Sequence, residues 1–220
     1  MARSLVTAVL VLGLSASASA SALITFEELP GGLTAMSNAF TLVPSGSQLG
    51  TQYLSTHGVV FSSSGGFAAL VNHGAPTASM PNIIGGTNAS GVLDYDEWIT
   101  ISFFDPTNPT QRAVTDFFEI QGDWVPLGSG SVFAEAYDVN GVLLASASAP
   151  DVSSGVAGAF LNLTAPGIHS VRFRGDNGTV GFDNLEFGDL TPVPVAEPAL
   201  AGLLVSAAFL ATRKQPRTAR

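Results

Sequence analysis

Short apolar runs, broken every few positions by Gly, Ser, Thr, Asn and Pro, fill residues 23–190. Many of them alternate apolar and polar positions with a period of two. No window of helical length carries an apolar stripe with a period of 3.6 residues. The pattern predicts strands at 23–27, 57–62, 67–71, 98–104, 114–121, 131–138, 142–148, 158–163, 168–174 and 180–187. Short strands punctuated by turn residues predict an all-β body, a two-sheet antiparallel β-sandwich.

Alternation also assigns faces. Ile99, Ile101 and Phe103 point one way and form core, which leaves Trp98, Thr100 and Ser102 on the polar face. Val171 and Phe173 point inward, and Arg172 and Arg174 outward. Asn140-Gly141 stands between two strands, and both residues tolerate the positive φ of a tight hairpin turn. Asn177-Gly178 repeats the signal. Strand 131–138 is therefore expected to pair with 142–148, and 168–174 with 180–187. Residues 72–91, with Pro76, Pro81 and Gly85-Gly86, read as a long loop of the kind that often carries function.

The two ends follow different rules. Arg3, the apolar run from Leu5 to Leu14, and the small-residue sites Ala18-Ser19-Ala20 and Ala20-Ser21-Ala22 make residues 1–22 a signal peptide. At the other end a Pro-rich linker, 191–198, precedes an apolar run at 199–212 and a basic tail at 213–220. As a helix, that run is about 21 Å long. It spans a hydrocarbon core of about 30 Å only if the bilayer thins or Arg213 and Lys214 snorkel. Its basic end belongs in the cytoplasm.

This tail resembles the sorting segment of PEP-CTERM exported bacterial proteins, which carry a Val-Pro-Glu-Pro-like motif, a short membrane helix and an arginine cluster. Val195, Glu197 and Pro198 match that motif, and Ala196 stands where the family has a proline. The resemblance implies an exosortase-type membrane transpeptidase as partner and a precursor anchored in the inner membrane. The mature protein would then lie at the cell surface or in the extracellular matrix.

With the ends set aside, charge becomes informative. The stretch 23–198 holds three basic residues, Arg112, Arg172 and Arg174, and all 17 acidic ones, a formal charge of −14. Such a body has no basic patch for phosphates, which excludes nucleic acid as a partner. It suits divalent cations, neutral glycans or simple solubility. The absence of cysteine excludes thiol catalysis and thiolate metal sites.

Catalytic motifs are missing: no Gly-x-Ser-x-Gly elbow, no His-Glu-x-x-His and no phosphate-binding Gly-rich loop occur. His57, His73 and His169 share no metal-ligand spacing. The chain reads as a non-enzyme. A binding reading draws on Trp98 and Tyr95 as stacking surfaces with Asp94 and Asp96 beside them, and on Trp124, Asp123 and Arg172 as further groups. The plainer reading has Trp98 covering a sheet edge and Trp124 capping the core.

Ile24-Thr25-Phe26-Glu27-Glu28-Leu29 opens the body, Gly58-Val59-Val60-Phe61 stands within it, and Gly181-Phe182-Asp183-Asn184-Leu185-Glu186-Phe187 closes it. The arrangement resembles galactose-binding-like jelly rolls found among carbohydrate-binding modules. The resemblance implies that first and last strands lie together and that Glu27 and Asp183 hold a structural Ca2+. Glu28 replaces Glu27 if the register slips by one residue. The expected function is therefore an exported surface or matrix protein that binds extracellular polysaccharide. A purely structural matrix protein is the alternative, and a carbohydrate-active enzyme ranks third.

Overall fold

The computed structural model describes residues 21–74, 79, 81–124, 130–152, 158–176, 178 and 180–194, with backbone alone at 123–124 and 150–152. In chain order the strands are β1 (Ala22–Ile24), β2 (Met36–Ser37), β3 (Gln48–Leu49), β4 (Val59–Ser62), β5 (Ala68–Asn72), β6 (Asn82–Gly85) and β7 (Ile99–Asp105). They continue as β8 (Asn108–Trp124), β9 (Gly130–Tyr137), β10 (Leu143–Val152), β11 (Ala159–Ile168), β12 (Ser170–Gly175), β13 (Val180–Phe187) and β14 (Thr191–Pro192). A single helical turn, α1 (Leu54–His57), ends at Gly58, whose φ of 68° only glycine adopts freely.

The body is all-β. One sheet runs β10-β9-β12-β7-β4. The other runs β11-β8-β13, passes through β1 and β6 on the far side of β13, and reaches β5 with the short β2 and β3 at its edge. The β7–β8 hairpin joins them into one open ladder through Phe104↔Arg112 and Asp105↔Asn108. The β2–β5 pairing is parallel and the other named pairings are antiparallel, so the sheet is mixed.

The ladder folds back on itself, as three ring contacts show. Phe173 on β12 lies 6.0 Å from Phe118 on β8 and 4.8 Å from Phe182 on β13. Phe103 on β7 lies 5.1 Å from Phe187 on β13. Each contact crosses from one sheet to the other, which is the arrangement of a sandwich. Burial alternates along β7 as its sequence predicts, with Ile99, Ile101 and Phe103 fully inside. A second, smaller core of Met36, Val43, Val71, Ile83, Leu93 and Tyr95 covers the other face of β5 and β6, so those two strands are buried on both sides.

The 131–138 and 142–148 strands pair as expected, through Ser146↔Glu135 and Ser148↔Phe133. The second expected hairpin does not form. β12 pairs with β9 and β7, whereas β13 pairs with β8, β1 and β6 in the opposite sheet. The chain turns tightly here, since a Cβ at Gly175 would meet Val180 at 2.9 Å, but it uses the turn to change sheets. The expected loop 72–91 also contains a strand, β6, because Ile83 and Ile84 each fill one of the two cores.

β13 carries a bulge. Asp183 pairs with Gln121 and Glu186 with Glu119, so three steps on β13 oppose two on β8. Asn184 absorbs the extra residue at φ 47°. The bulge lets Phe182, Leu185 and Phe187 all face the main core although their spacing breaks strict alternation.

The signal peptide through residue 20, the motif Val195-Ala196-Glu197-Pro198, the apolar run 199–212 and the basic tail lie outside the described residues. Among the described residues no helix is long and apolar enough to cross a membrane.

Candidate ligand-binding face

The outer face of the β10-β9-β12-β7-β4 sheet collects the polar halves of its alternating strands. Strand register builds it row by row. One row crosses Ser148, Phe133 and Arg174 and ends at Trp98, just before β7. The next crosses Ser146, Glu135, Arg172, Thr100 and Ser62. A shallow groove of about 350 Å3 lies over these rows, lined by Trp98, Phe133, Glu135, Ser146, Ser148 and Arg174.

Guanidinium groups and rings interleave here. The Arg172 guanidinium lies 4.6 Å from the Trp98 ring centre and 5.4 Å from that of Tyr137. The Arg174 guanidinium lies 5.1 Å from Trp98 and 5.2 Å from Phe133. A cation over the negative face of a ring is attracted to it, by about 0.5–1 kcal/mol at exposed sites. The stack therefore fixes two flexible arginine side chains in place.

Arg172 also donates from Nε to Glu135 at 2.5 Å. The Tyr137 hydroxyl donates to the same carboxylate. These two donors, the Tyr137 hydroxyl first, hold the Glu135 carboxyl below the usual carboxylate range. A depressed pKa stabilises the fold above the unfolded value, and that contribution is lost as pH falls through the folded value. Arg174 differs: among the described residues it has no ion pair, and its buried Nε has no hydrogen-bond partner.

The residues singled out from sequence separate. Trp98 is half-buried on this face as expected, but its ring carries the two guanidinium groups. Tyr95 points the other way. It is 1% exposed, packs in the smaller core edge-on to Phe40, and its hydroxyl donates to Asn38 at 3.0 Å. Burial pushes that hydroxyl well above its ordinary pKa. Tyr95 is therefore a core residue and offers no stacking surface.

Asp94 accepts the Asp96 N–H at 3.1 Å, and Asp96 accepts the Gly178 N–H at 2.6 Å. The Asp94 carboxylate braces its own loop before β7, and the Asp96 carboxylate ties that loop to the turn between β12 and β13. The side chains of Asp123 and Trp124 lie outside the described residues. Phe133, Glu135, Tyr137 and Arg174 complete the face and were not singled out from sequence as ligand-binding groups.

The second candidate site joins the ends of the body. β1 pairs with β13, so first and last sandwich strands do lie side by side. Asp183 is fully buried and accepts the Ser79 N–H at 2.7 Å, the Ser79 hydroxyl at 2.7 Å and the Asn184 N–H at 2.7 Å. Glu27 accepts the Asn82 N–H at 2.8 Å and its side-chain amide at 2.9 Å. Burial, and after it the Asp183 charge, raises the Glu27 pKa against the pull of the Asn82 donors.

Phe26, beside Glu27, is held at φ 62°, a conformation unfavourable for a bulky side chain. The Thr25 carbonyl shares the Ser79 hydroxyl donor with Asp183, and the Phe26 carbonyl shares the Asn82 amide with Glu27, so these oxygens are of hard-donor type and each already accepts a protein hydrogen bond. Such donors fit Ca2+ by type. Among the described residues no third acidic or imidazole side chain joins them, so the other ligands would be neutral oxygens.

No family model matches the sequence, and neither does any curated protein. Among solved structures the chain is similar to the K2 cleaved adhesin domain of Lys-gingipain, with TM-score 0.41 and 11% identity over 76% of this chain and 97% of that one. It is also similar to the isomalto-dextranase of Arthrobacter globiformis T6 complexed with panose, with TM-score 0.34 and 14% identity over 60% of this chain and 23% of the enzyme. A further similarity is to the enzymatically active domain of tailspike protein 4 from bacteriophage CBA120, with TM-score 0.34 and 14% identity over 68% of this chain and 22% of that one.

Proposed function

We propose that this chain is an exported, non-enzymatic, surface- or matrix-associated protein whose jelly-roll-like sandwich binds extracellular polysaccharide on the outer face of its β10-β9-β12-β7-β4 sheet. One observation carries the reading: aromatic rings and guanidinium groups interleave over a shallow groove rimmed by the exposed Ser146 and Ser148. Rings offer apolar faces to sugar C–H groups, and the guanidinium and hydroxyl groups exchange water hydrogen bonds for sugar ones at small net gain. A single site of this kind binds near the millimolar range, about −4 kcal/mol. Firm adhesion then comes from many displayed copies acting together. Retention of the full-length protein, purified in detergent, on a panel of insoluble polysaccharides tests the reading. Retention on none of them rejects it.

A specific observation favours the structural alternative: Trp98 already has two guanidinium partners. In that reading the stack only clasps β7 to β12. Glycan retention separates the two.

Export and sorting rest on the terminal segments. The precursor is held in the inner membrane by 199–212 and recognised by an exosortase-type enzyme at Val195-Ala196-Glu197-Pro198. Mass spectrometry of the protein recovered from outside the cytoplasm should show a chain that begins after Ala20 or Ala22 and lacks Arg220. Ala196→Pro should speed loss of the tail. Recovery of the intact chain in the cytoplasm rejects this part of the proposal.

Glu27 and Asp183 would hold Ca2+ together with the neutral oxygens around them. The ion would offset the repulsion between the fully buried Asp183 carboxylate and the partly exposed Glu27 carboxylate. At free calcium about 100-fold above Kd, linkage stabilises the native state by roughly 2.7 kcal/mol. That corresponds to a rise on the order of 5–10 °C in melting temperature for a domain of this size. Asp183→Asn should abolish the difference between calcium and chelator. Identical melting curves in calcium and in chelator for the natural sequence remove the metal from the account.

A further inference from the structure

We infer that the ligand of the sheet face is an acidic polysaccharide, and that Arg174 seats the carboxylate of a uronic acid residue; this rests on the glycan-binding reading above. The body is the wrong place to find spare positive charge. It holds three arginines against 17 acids, yet two of the three stand side by side on one face of β12. Arg112 is elsewhere, with its guanidinium donating to the Val139 carbonyl at 3.1 Å.

The two neighbours are not equivalent. Arg172 has its counter-charge within the protein, the Glu135 carboxylate at 2.5 Å. Arg174 has rings instead, Trp98 at 5.1 Å and Phe133 at 5.2 Å. Its buried Nε makes no hydrogen bond, and among the described residues it forms no ion pair, although the Glu135 carboxylate in the same groove feels its charge. That Nε is closed to a ligand as it is to water, so a ligand carboxylate would meet the guanidinium end-on, at its two terminal nitrogens.

The geometry suits that group. Rings beside a guanidinium lower its exposure to water, and its two terminal nitrogens can still make planar, two-point contact with a carboxylate end-on. A lysine ammonium lacks that fork, and a neutral sugar hydroxyl supplies an acceptor without a charge. Ser146 and Ser148 stand exposed in the same groove, placed for the hydroxyls of the same or the next sugar. The body as a whole, at −14, repels a polyanion at long range. Binding should therefore depend on a contact this local, and moderate salt should weaken it less than it weakens binding to an extended basic patch.

The test uses the full-length protein in detergent and three uronate polymers, polygalacturonate, alginate and hyaluronan, each compared with its carboxyl-reduced counterpart. Reduction turns each uronic acid into the neutral sugar and keeps the linkages. At least one acidic polymer should bind about tenfold tighter than its reduced form. Arg174→Gln should bring the two forms to equal affinity, and Arg174→Lys should keep part of the preference. Equal binding of acidic and reduced forms by the natural sequence overturns the inference and leaves glycan binding standing. A preference that survives in Arg174→Gln overturns the assignment to this residue. If Arg174→Gln melts early, Arg174→Lys decides, since an unreduced preference there rejects the two-point contact. Binding of no polymer, acidic, reduced or neutral, removes the glycan reading and this inference with it.

Discussion

Phe173→Ala should lower the melting temperature by about 6–20 °C. Phe173 is fully buried on β12 and touches Phe118 and Phe182 on two strands of the opposite sheet. Removing a buried phenyl ring loses its transfer free energy and leaves a cavity, about 3–5 kcal/mol together. At roughly 2–4 °C per kcal/mol for a domain of this size, the shift follows. Phe160→Ala is the control. Phe160 is also an aromatic residue on a strand, but it is 55% exposed on β11, and its loss should move the melting point by a degree or two at most. Equal shifts for the two variants contradict the face-to-face packing of the sheets.

Trp98→Ala should reduce polysaccharide binding at least tenfold, about 1.4 kcal/mol, and take a millimolar site beyond easy detection. The substitution removes the ring and frees both guanidinium groups that it positions. Its cost to stability is small by comparison, about 1–2 kcal/mol for two partly exposed cation–ring contacts. Tyr95→Phe is expected to behave oppositely. It deletes the bond to Asn38 in the smaller core, costs about 1 kcal/mol of stability, and leaves binding unchanged. A Tyr95→Phe variant that folds normally but fails to bind contradicts the placement of the site.

The sandwich was legible in the sequence because each strand carries its own facing information. Val132, Ala134 and Ala136 alternate with Phe133, Glu135 and Tyr137, and the small residues go inward. That inversion, small inside and aromatic outside, was the available signal for a ligand-binding face. It is easily passed over because aromatic residues are expected in cores. Tyr95 sits in the turn before β7, where strand alternation does not reach, so the facing of Trp98 carried no information about it. The flanking acids Asp94 and Asp96 masked this, since they mark a turn held by their own carboxylates.

Pairing across turns was less legible. Asn140-Gly141 and Asn177-Gly178 look alike locally, yet the first closes a hairpin and the second sends the chain to the other sheet. The choice depends on β9 and β7 already flanking β12, a contact distant in sequence. β6 was hidden for a related reason. A strand buried on both faces shows no alternation, and Ile83-Ile84 between Pro81 and Gly85 resembles a loop until both cores are known.

The most direct test of the central claim is a titration of the isotope-labelled full-length protein with a polysaccharide that retains it, followed by nuclear magnetic resonance. The account predicts that the indole N–H of Trp98 and the side-chain N–H signals of Arg172 and Arg174 shift together, with backbone shifts along β9 and β10 at Glu135, Ser146 and Ser148. Signals from Phe160 on β11 and Tyr95 in the smaller core should stay fixed. Saturable binding that leaves Trp98, Arg172 and Arg174 unmoved would contradict the account.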